Sequence, residues 1–174
     1  MRRVDNNAIS TSLDERAKNG YHVDSRLSRE VLSGTLFSIV FEDQDSFLSL
    51  IWQEIDDSRL LTPLGQSRTL KDVATRFIEA QYTFSILAGE MGLSLDQHKP
   101  SWFQKCVPIA DSFCYRAFGC IAVVLATDGE RSKSPSGTFY IFDGVHKTLV
   151  LSTLLLTKKI DFQPIEAILL TPRR

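Results

Sequence analysis

One short turn in the sequence combines residue types that could together bind an anion. Asp143 and Gly144 are followed by His146, Lys147 and Thr148, in a stretch that reads FYIFDGVHKTLVLS. Asp-Gly is typical of a turn after a strand, and the apolar residues that follow recur at helical density. A helix N-terminus offers backbone N–H groups and a partial positive charge, and a glycine lets backbone approach a ligand closely. With imidazole and ammonium donors beside it, this turn is predicted to bind a phosphate or a carboxylate.

The same side chains also have structural interpretations. Asp143 could orient His146, hold a metal ion together with a nucleotide, or cap the helix, and the cap is the favoured interpretation. His146 and Lys147 could be exposed polar residues at a helix start. Cations at that end are disfavoured by about 0.3 to 1 kcal/mol, so a bound anion explains a basic pair there better.

The elements that position this turn are predicted from their apolar patterns. Residues 120–126 (CIAVVLA) are a continuous apolar run, which is typical of a strand buried on both faces. Residues 138–142 are aromatic and β-branched and predict a second strand. The polar residues 127–137 connect the two strands, and their charged side chains are expected to be solvated. A lid over the turn is the less favoured interpretation. A helix is predicted over residues 146–159 and a closing strand over residues 163–170.

The first half of the chain is predicted to be mainly helical. Residues 35–41 form a strand, and Thr69 with Asp72 approximates a capping box at the start of the longest helix. Apolar spacing predicts helices over residues 45–56, 67–91, 102–107 and 110–118. The expected fold class is therefore α+β, with a helix-rich N-terminal half followed by a small mixed β-sheet that contains a strand–turn–helix–strand unit.

The predicted domain organisation is one domain with an arm in front of it. Residues 1–23 are polar and mixed in charge, which predicts a flexible arm. Residues 24–174 are expected to form a single domain, helix-rich over 24–118, with the sheet unit over 119–174. A chain of 174 residues is long enough to bury a substantial core.

The composition limits which classes of partner and which cellular compartment are expected. A net charge of −1 gives no basic excess, so nucleic acid is not a favoured partner, and no apolar run approaches the ~20 residues that span a bilayer. The three cysteines include no CxxC pair, which indicates neither a disulfide framework nor a zinc site. They fit buried thiols in a reducing cytoplasm, although Lys105 next to Cys106 could activate that thiol.

Three segments of the last third occur in an order that resembles the ParB/sulfiredoxin-like fold. An apolar strand (IAVVLA) precedes a variable loop, a second strand runs into Asp143-Gly144-Val145-His146-Lys147, and a helix leads to QPIEAILL. Members of that family carry a D/G-G-x-H/R-R turn whose glycine and basic residues bind nucleotide phosphates. The resemblance implies that role for Gly144, His146 and Lys147, with Thr148 as a hydroxyl donor.

The chain departs from the family pattern at three places. Val145 stands where sulfiredoxins place their catalytic cysteine, so peroxiredoxin repair is not expected. Lys147 replaces the usual arginine, which gives up bidentate phosphate geometry but keeps a point charge. The nearest counterpart of the N-P-R-like upstream element of ParB proteins is Gln66-Ser67-Arg68.

The residues and the resemblance together predict nucleotide binding at residues 143–148. ATP or CTP with Mg²⁺ are the expected ligands, and phosphoryl transfer or phosphodiester hydrolysis is the chemistry that suits the family if the protein is an enzyme. No general base or metal-ligand cluster accompanies the turn in the sequence. The alternative is a non-enzymatic module that has lost the ligand site. Such a module would bind a protein, a nucleic acid or a second copy of itself through the helical half.

Overall fold

One mixed β-sheet with helices packed against it organises the fold, which is α+β. The computed structural model describes residues 2–3, 35–52, 61–62, 66–81, 83–84, 101–125 and 138–171. Within these residues the elements are β1 (Arg2–Arg3), β2 (Thr35–Phe41), α1 (Gln44–Leu48), α2 (Leu70–Glu79), α3 (Ser101–Asp111), α4 (Tyr115–Phe118), β3 (Ile121–Leu125), β4 (Phe139–Asp143), α5 (Val145–Leu156) and β5 (Ile165–Thr171).

The strand order of the sheet is β1-β2-β5-β3-β4. β2 runs antiparallel to β5 along its whole length, from Thr35 opposite Thr171 to Phe41 opposite Ile165. β5 is parallel to β3, and β3 is antiparallel to β4. The last strand in the sequence therefore lies in the middle of the sheet.

Side chains alternate between the two faces of the sheet, as the pleat of a strand requires. In β3, Ile121 and Val123 belong to the large core that also contains α5, whereas Ala122 and Val124 belong to a smaller cluster with Leu36. All four of these β3 side chains are buried. The prediction of a strand buried on both faces is confirmed.

α5 is the central helix of the core. Residues 148–155 are all buried, and the helix contacts both α2 and α3. Its two buried polar side chains past the first turn bond to carbonyls one turn earlier: Ser152 donates to Thr148 O at 2.8 Å and Thr153 donates to Leu149 O at 2.9 Å. A helix that is buried all round in this way belongs to the interior of a domain.

The predicted helix over residues 45–56 is much shorter in the structure. α1 ends at Leu48, because Ile51 is extended and forms bridges with both Thr69 and Tyr140. Its N–H donates to Phe139 O at 2.9 Å and its carbonyl accepts from Ile141 N at 3.0 Å, so this residue extends the sheet beyond β4. Residues 53–60 lie outside the described part of the chain.

The predicted helix over residues 67–91 corresponds to α2, which begins after Thr69 and ends at Glu79. Its predicted cap is confirmed: Thr69 Oγ1 accepts from Asp72 N at 3.2 Å and donates to the Asp72 carboxylate at 2.7 Å. The helix stops early because Gln81 has a φ of 59°, which no α-helix accommodates. Residues 85–91 lie outside the described residues.

The remaining helix predictions differ from the structure at their boundaries. The helices predicted over residues 102–107 and 110–118 become α3 and α4, separated at residues 112–114.

Of the predicted arm, Arg2–Arg3 form β1 and pair with Ser38 and Phe37, while residue 1 and residues 4–23 lie outside the described ranges. In the described part of the chain, none of the helices has the length and apolar character that crossing a bilayer requires.

Candidate functional site

The predicted turn is the junction between β4 and α5. Asp143 is the last residue of β4, Gly144 is the N-cap of α5, and His146, Lys147 and Thr148 lie in the first turn of the helix. Gly144 has a φ of 92°, in the left-handed region that favours glycine. Within the described residues, no side chain makes a capping hydrogen bond at this helix start. The interpretation of Asp143 as the helix cap is therefore wrong, because the chain enters the helix through a left-handed glycine instead.

Lys147 binds backbone carbonyls of its own chain. Its Nζ donates to Phe118 O at 2.8 Å and to Cys120 O at 2.5 Å, and it lies 4.9 Å from the centroid of the Phe118 ring. These contacts attach the first turn of α5 to the junction between α4 and β3. We call Lys147 and the two carbonyls of Phe118 and Cys120 the lysine clasp.

Gly144 makes room for the lysine clasp. A Cβ atom at this position would lie 2.7 Å from Lys147 Cε and 3.1 Å from Ile121 Cγ2. Both distances are shorter than ordinary van der Waals contact, and the first would force the lysine stem to move. The sequence assigned this glycine to the close approach of a ligand. The structure adds a requirement from within the chain, since the lysine stem crosses directly over it.

Thr148 is turned into the helix. The residue is fully buried, its Oγ1 donates to Val145 O at 2.9 Å, and its N–H donates to Gly144 O at 2.9 Å. Its hydroxyl therefore has a partner one turn back. A ligand at the start of α5 reaches it only if that hydrogen bond breaks.

His146 is half-buried and uncharged at neutral pH. Burial lowers the pKa of its imidazole to about 4; the nearby charge of Lys105 acts in the same direction, and the Asp143 carboxylate opposes both. Nε2 is shielded from solvent and has no hydrogen-bond partner within the described residues. A neutral imidazole has one N–H donor and one acceptor nitrogen, so this side chain can still make a hydrogen bond with a ligand.

Trp52 joins a second segment to the start of α5. This fully buried side chain donates from Nε1 to Val145 O at 3.1 Å, and its backbone N–H donates to Arg68 O at 2.8 Å. Arg68 Nε is also shielded and without a partner in the part of the chain that the structure describes. Arg68 is the residue that the sequence offers as the counterpart of the family's upstream arginine.

Sequence reasoning missed the partners of the turn rather than the turn itself. Trp52 is fully buried, and nothing in the sequence links it to Val145. Phe118 and Cys120 contribute backbone carbonyls, and no pattern of side chains in the sequence indicates which carbonyls will accept a hydrogen bond. The suggestion of an activated Cys106 is wrong, because burial raises the pKa of that thiol to about 12. Within the described residues, no three His, Cys, Asp or Glu side chains are grouped as metal ligands would be.

Comparison with known proteins does not assign the chain to a family. No protein-family model matches it, and neither the curated proteins nor the solved structures include one that is significantly similar. The resemblance to the ParB/sulfiredoxin-like fold therefore stays a prediction, carried by the three quoted segments.

Proposed function

We propose that the β4–α5 turn of a ParB/sulfiredoxin-like unit binds the phosphate of a nucleotide. The donors are the backbone N–H groups of the first turn of α5 and the imidazole of His146. One observation carries this proposal: His146 Nε2 is shielded and lacks a partner in the described part of the chain, at a helix start that no side chain caps. An unsatisfied buried polar group costs about 1 to 3 kcal/mol, and a phosphate oxygen that displaced the atoms now covering Nε2 would remove that cost.

The backbone geometry supports an anion at this position. The first N–H groups of an α-helix have no partner inside the helix, and the helix dipole favours negative charge there. Because Gly144 is the N-cap, no side chain of that residue competes for these groups. The residues from Asp143 to Lys147 are all partly exposed, so the turn is accessible from solvent.

The roles of the basic residues differ from those that the resemblance implies. Lys147 contributes positive charge near the turn while its ammonium stays in the lysine clasp. Arg68 is the better candidate for a direct phosphate contact. It is tied to the start of α5 through Trp52, and a guanidinium can bind two phosphate oxygens at once.

The proposed ligand is ATP or CTP with Mg²⁺. Magnesium takes oxygen ligands and is usually bound through one or two carboxylates together with the phosphates of a nucleotide. Asp143, at the end of β4, supplies a carboxylate of the kind that such an ion uses. Phosphoryl transfer or phosphodiester hydrolysis would be the reaction class if binding leads to turnover.

The second candidate function is a non-enzymatic interaction module. It is favoured by the engagement of two predicted ligand contacts within the chain: Lys147 in the lysine clasp and Thr148 in its bond to Val145 O. In this account the turn connects β4 to α5 through contacts within the chain and binds no ligand. A protein, a nucleic acid or a second copy would then bind elsewhere, through the helical half.

Calorimetric titration with ATP, CTP and GTP, each with and without Mg²⁺, tests the proposed function. We expect at least one nucleotide to bind, and His146→Ala and Arg68→Ala to weaken that binding tenfold or more. Lys159→Ala is the matched control, because Lys159 is exposed beyond the far end of α5, about 18 Å from the turn at 1.5 Å per residue. If a folded wild-type protein binds none of the three nucleotides, the interaction module is the better account.

A further inference from the structure

Three features of the His146 imidazole make its protonation state depend on the charges and hydrogen-bond partners beside it. It is half-buried, its Nε2 is shielded and unpartnered within the described residues, and it lies in the first turn of α5. In the neutral ring, one nitrogen donates and the other accepts. In the protonated ring, both nitrogens donate, so a second anionic oxygen can be bound.

The charges around this ring leave the protonated form without a strong partner. Lys105 on α3 disfavours protonation, and Asp143 at the end of β4 favours it more weakly. Of the charged groups of α2, Lys71 and Glu79 are exposed, and Asp72 and Arg76 have partners of their own. Asp72 accepts from the hydroxyls of Ser67 and Thr69, and Arg76 donates to the carbonyls of Leu61 and Ser67.

A phosphate bound at the start of α5 would favour the protonated form of His146. It would place negative charge beside the ring and, by displacing the atoms that cover Nε2, accept the hydrogen bond that this nitrogen lacks. Both effects favour the protonated form. Helix dipole and desolvation act against protonation while the turn is empty. With an anion bound, the anion's charge offsets both.

We propose that an anion bound at the start of α5 brings a proton with it, and that His146 takes up this proton. The inference rests on the proposed function, since it concerns the same turn. Nucleotide binding is then strengthened by acidification. By linkage, the factor by which protonation of His146 increases anion affinity equals the factor by which the anion increases proton affinity.

The size of the effect follows from this reciprocity. Each unit by which the anion raises the pKa of His146 corresponds to a tenfold gain in affinity over the interval between the two values. We expect a rise of at least two units, from about 4 to about 6 or above. Affinity for a non-titrating anion should therefore increase tenfold or more between about pH 7 and pH 5.

The test is an NMR titration of the His146 ring, with and without saturating ATP in the absence of Mg²⁺. The imidazole signal is assigned by its loss in His146→Gln, a variant that keeps hydrogen-bonding capacity but does not titrate. The expected result is a higher pKa of His146 in the complex. Sulfate, whose charge is constant over this range, is the second probe, and calorimetry should show its affinity rising on acidification in the wild type but not in the variant.

The outcomes separate the inference from the proposed function. If ATP binds and the pKa of His146 is unchanged, the proton linkage is refuted while nucleotide binding stands. The same conclusion follows if the sulfate affinity of the wild type and of His146→Gln depend equally on pH. If ATP does not bind to the folded protein at all, the proposed function fails, and this inference fails with it.

Discussion

Removing the ammonium of Lys147 should destabilise the protein even when no ligand is present. Lys147→Met is the informative change, because methionine retains an apolar stem over Gly144 while it removes the donors of the lysine clasp. Hydrogen bonds to charged groups contribute about 1.5 to 3 kcal/mol each, and a cation over an aromatic ring adds about 0.5 to 1 kcal/mol. Because the side chain is only half-buried, hydrogen bonds from water to the two carbonyls offset part of this lost stabilisation. We expect the free energy of unfolding to fall by about 2 to 4 kcal/mol.

Urea unfolding followed by circular dichroism measures this loss. For a chain of this size, each kcal/mol lowers the melting temperature by about 2 to 4 °C, so a drop of roughly 5 to 15 °C should accompany it. Lys159→Met is the matched control, since Lys159 is exposed and the change should stay within about 0.5 kcal/mol. Hydrogen exchange should increase at residues 118–121, where the clasp attaches.

One result would refute this reasoning. If Lys147→Met unfolds within about 0.5 kcal/mol of the wild type, water satisfies the carbonyls of Phe118 and Cys120 equally well. The ammonium would then be available to a ligand at little cost. Lys147 would return to the role that the resemblance implies.

Three further predictions concern the turn and the start of α2. Gly144→Ala should cost about 2 to 4 kcal/mol, from the left-handed φ and the contact with Lys147 Cε. Adding Lys147→Ala should make the double variant less destabilised than the sum of the two single changes, and strict additivity would contradict the contact. The folded pKa of His146 is lowered from 6.5 to about 4, so the unfolded state binds more protons between these values. Stability should therefore fall by about 2 to 3 kcal/mol as the pH drops from about 6.5 to 4, and urea titrations should show a flatter profile for His146→Gln. A profile in His146→Gln as steep as that of the wild type would rule this out. Thr69→Ala should cost about 1 kcal/mol in thermal unfolding, because Thr69 caps α2. Thr75→Ala, on the same helix, is the control and should be close to neutral, and equal losses in the two would speak against the cap.

The strands and the position of the turn could be predicted because local patterns determine them. The run IAVVLA has no polar residue to place on a solvent face. Residues 121–125 of it form β3, whose first four side chains are buried on both faces of the sheet. Asp143-Gly144 ends the following strand, and the apolar residues that come after it form a buried helix. The capping pair Thr69 and Asp72 could likewise be predicted, because the two residues are only three positions apart.

The state of the site residues could not be predicted, because it depends on partners that are distant in the sequence. Lys147 finds its acceptors 29 and 27 residues earlier, on backbone atoms that carry no sequence signal. His146 loses its charge through burial, which no neighbouring residue reveals. Ile51 fits a helical pattern but is extended, since its backbone pairs with β4.

The central place of β5 has a consequence for the order in which the protein can be assembled. Without residues 165–171 the sheet is two separate antiparallel pairs, β1 with β2 and β3 with β4, and isolated two-stranded pairs are at best marginally stable. β2 must also wait for a partner that is synthesised after every other described element. During translation, the edges of β2 and β3 that β5 will cover are open to pairing with other chains. A nascent chain stalled before residue 165 is therefore the form of this protein that we expect chaperones to meet.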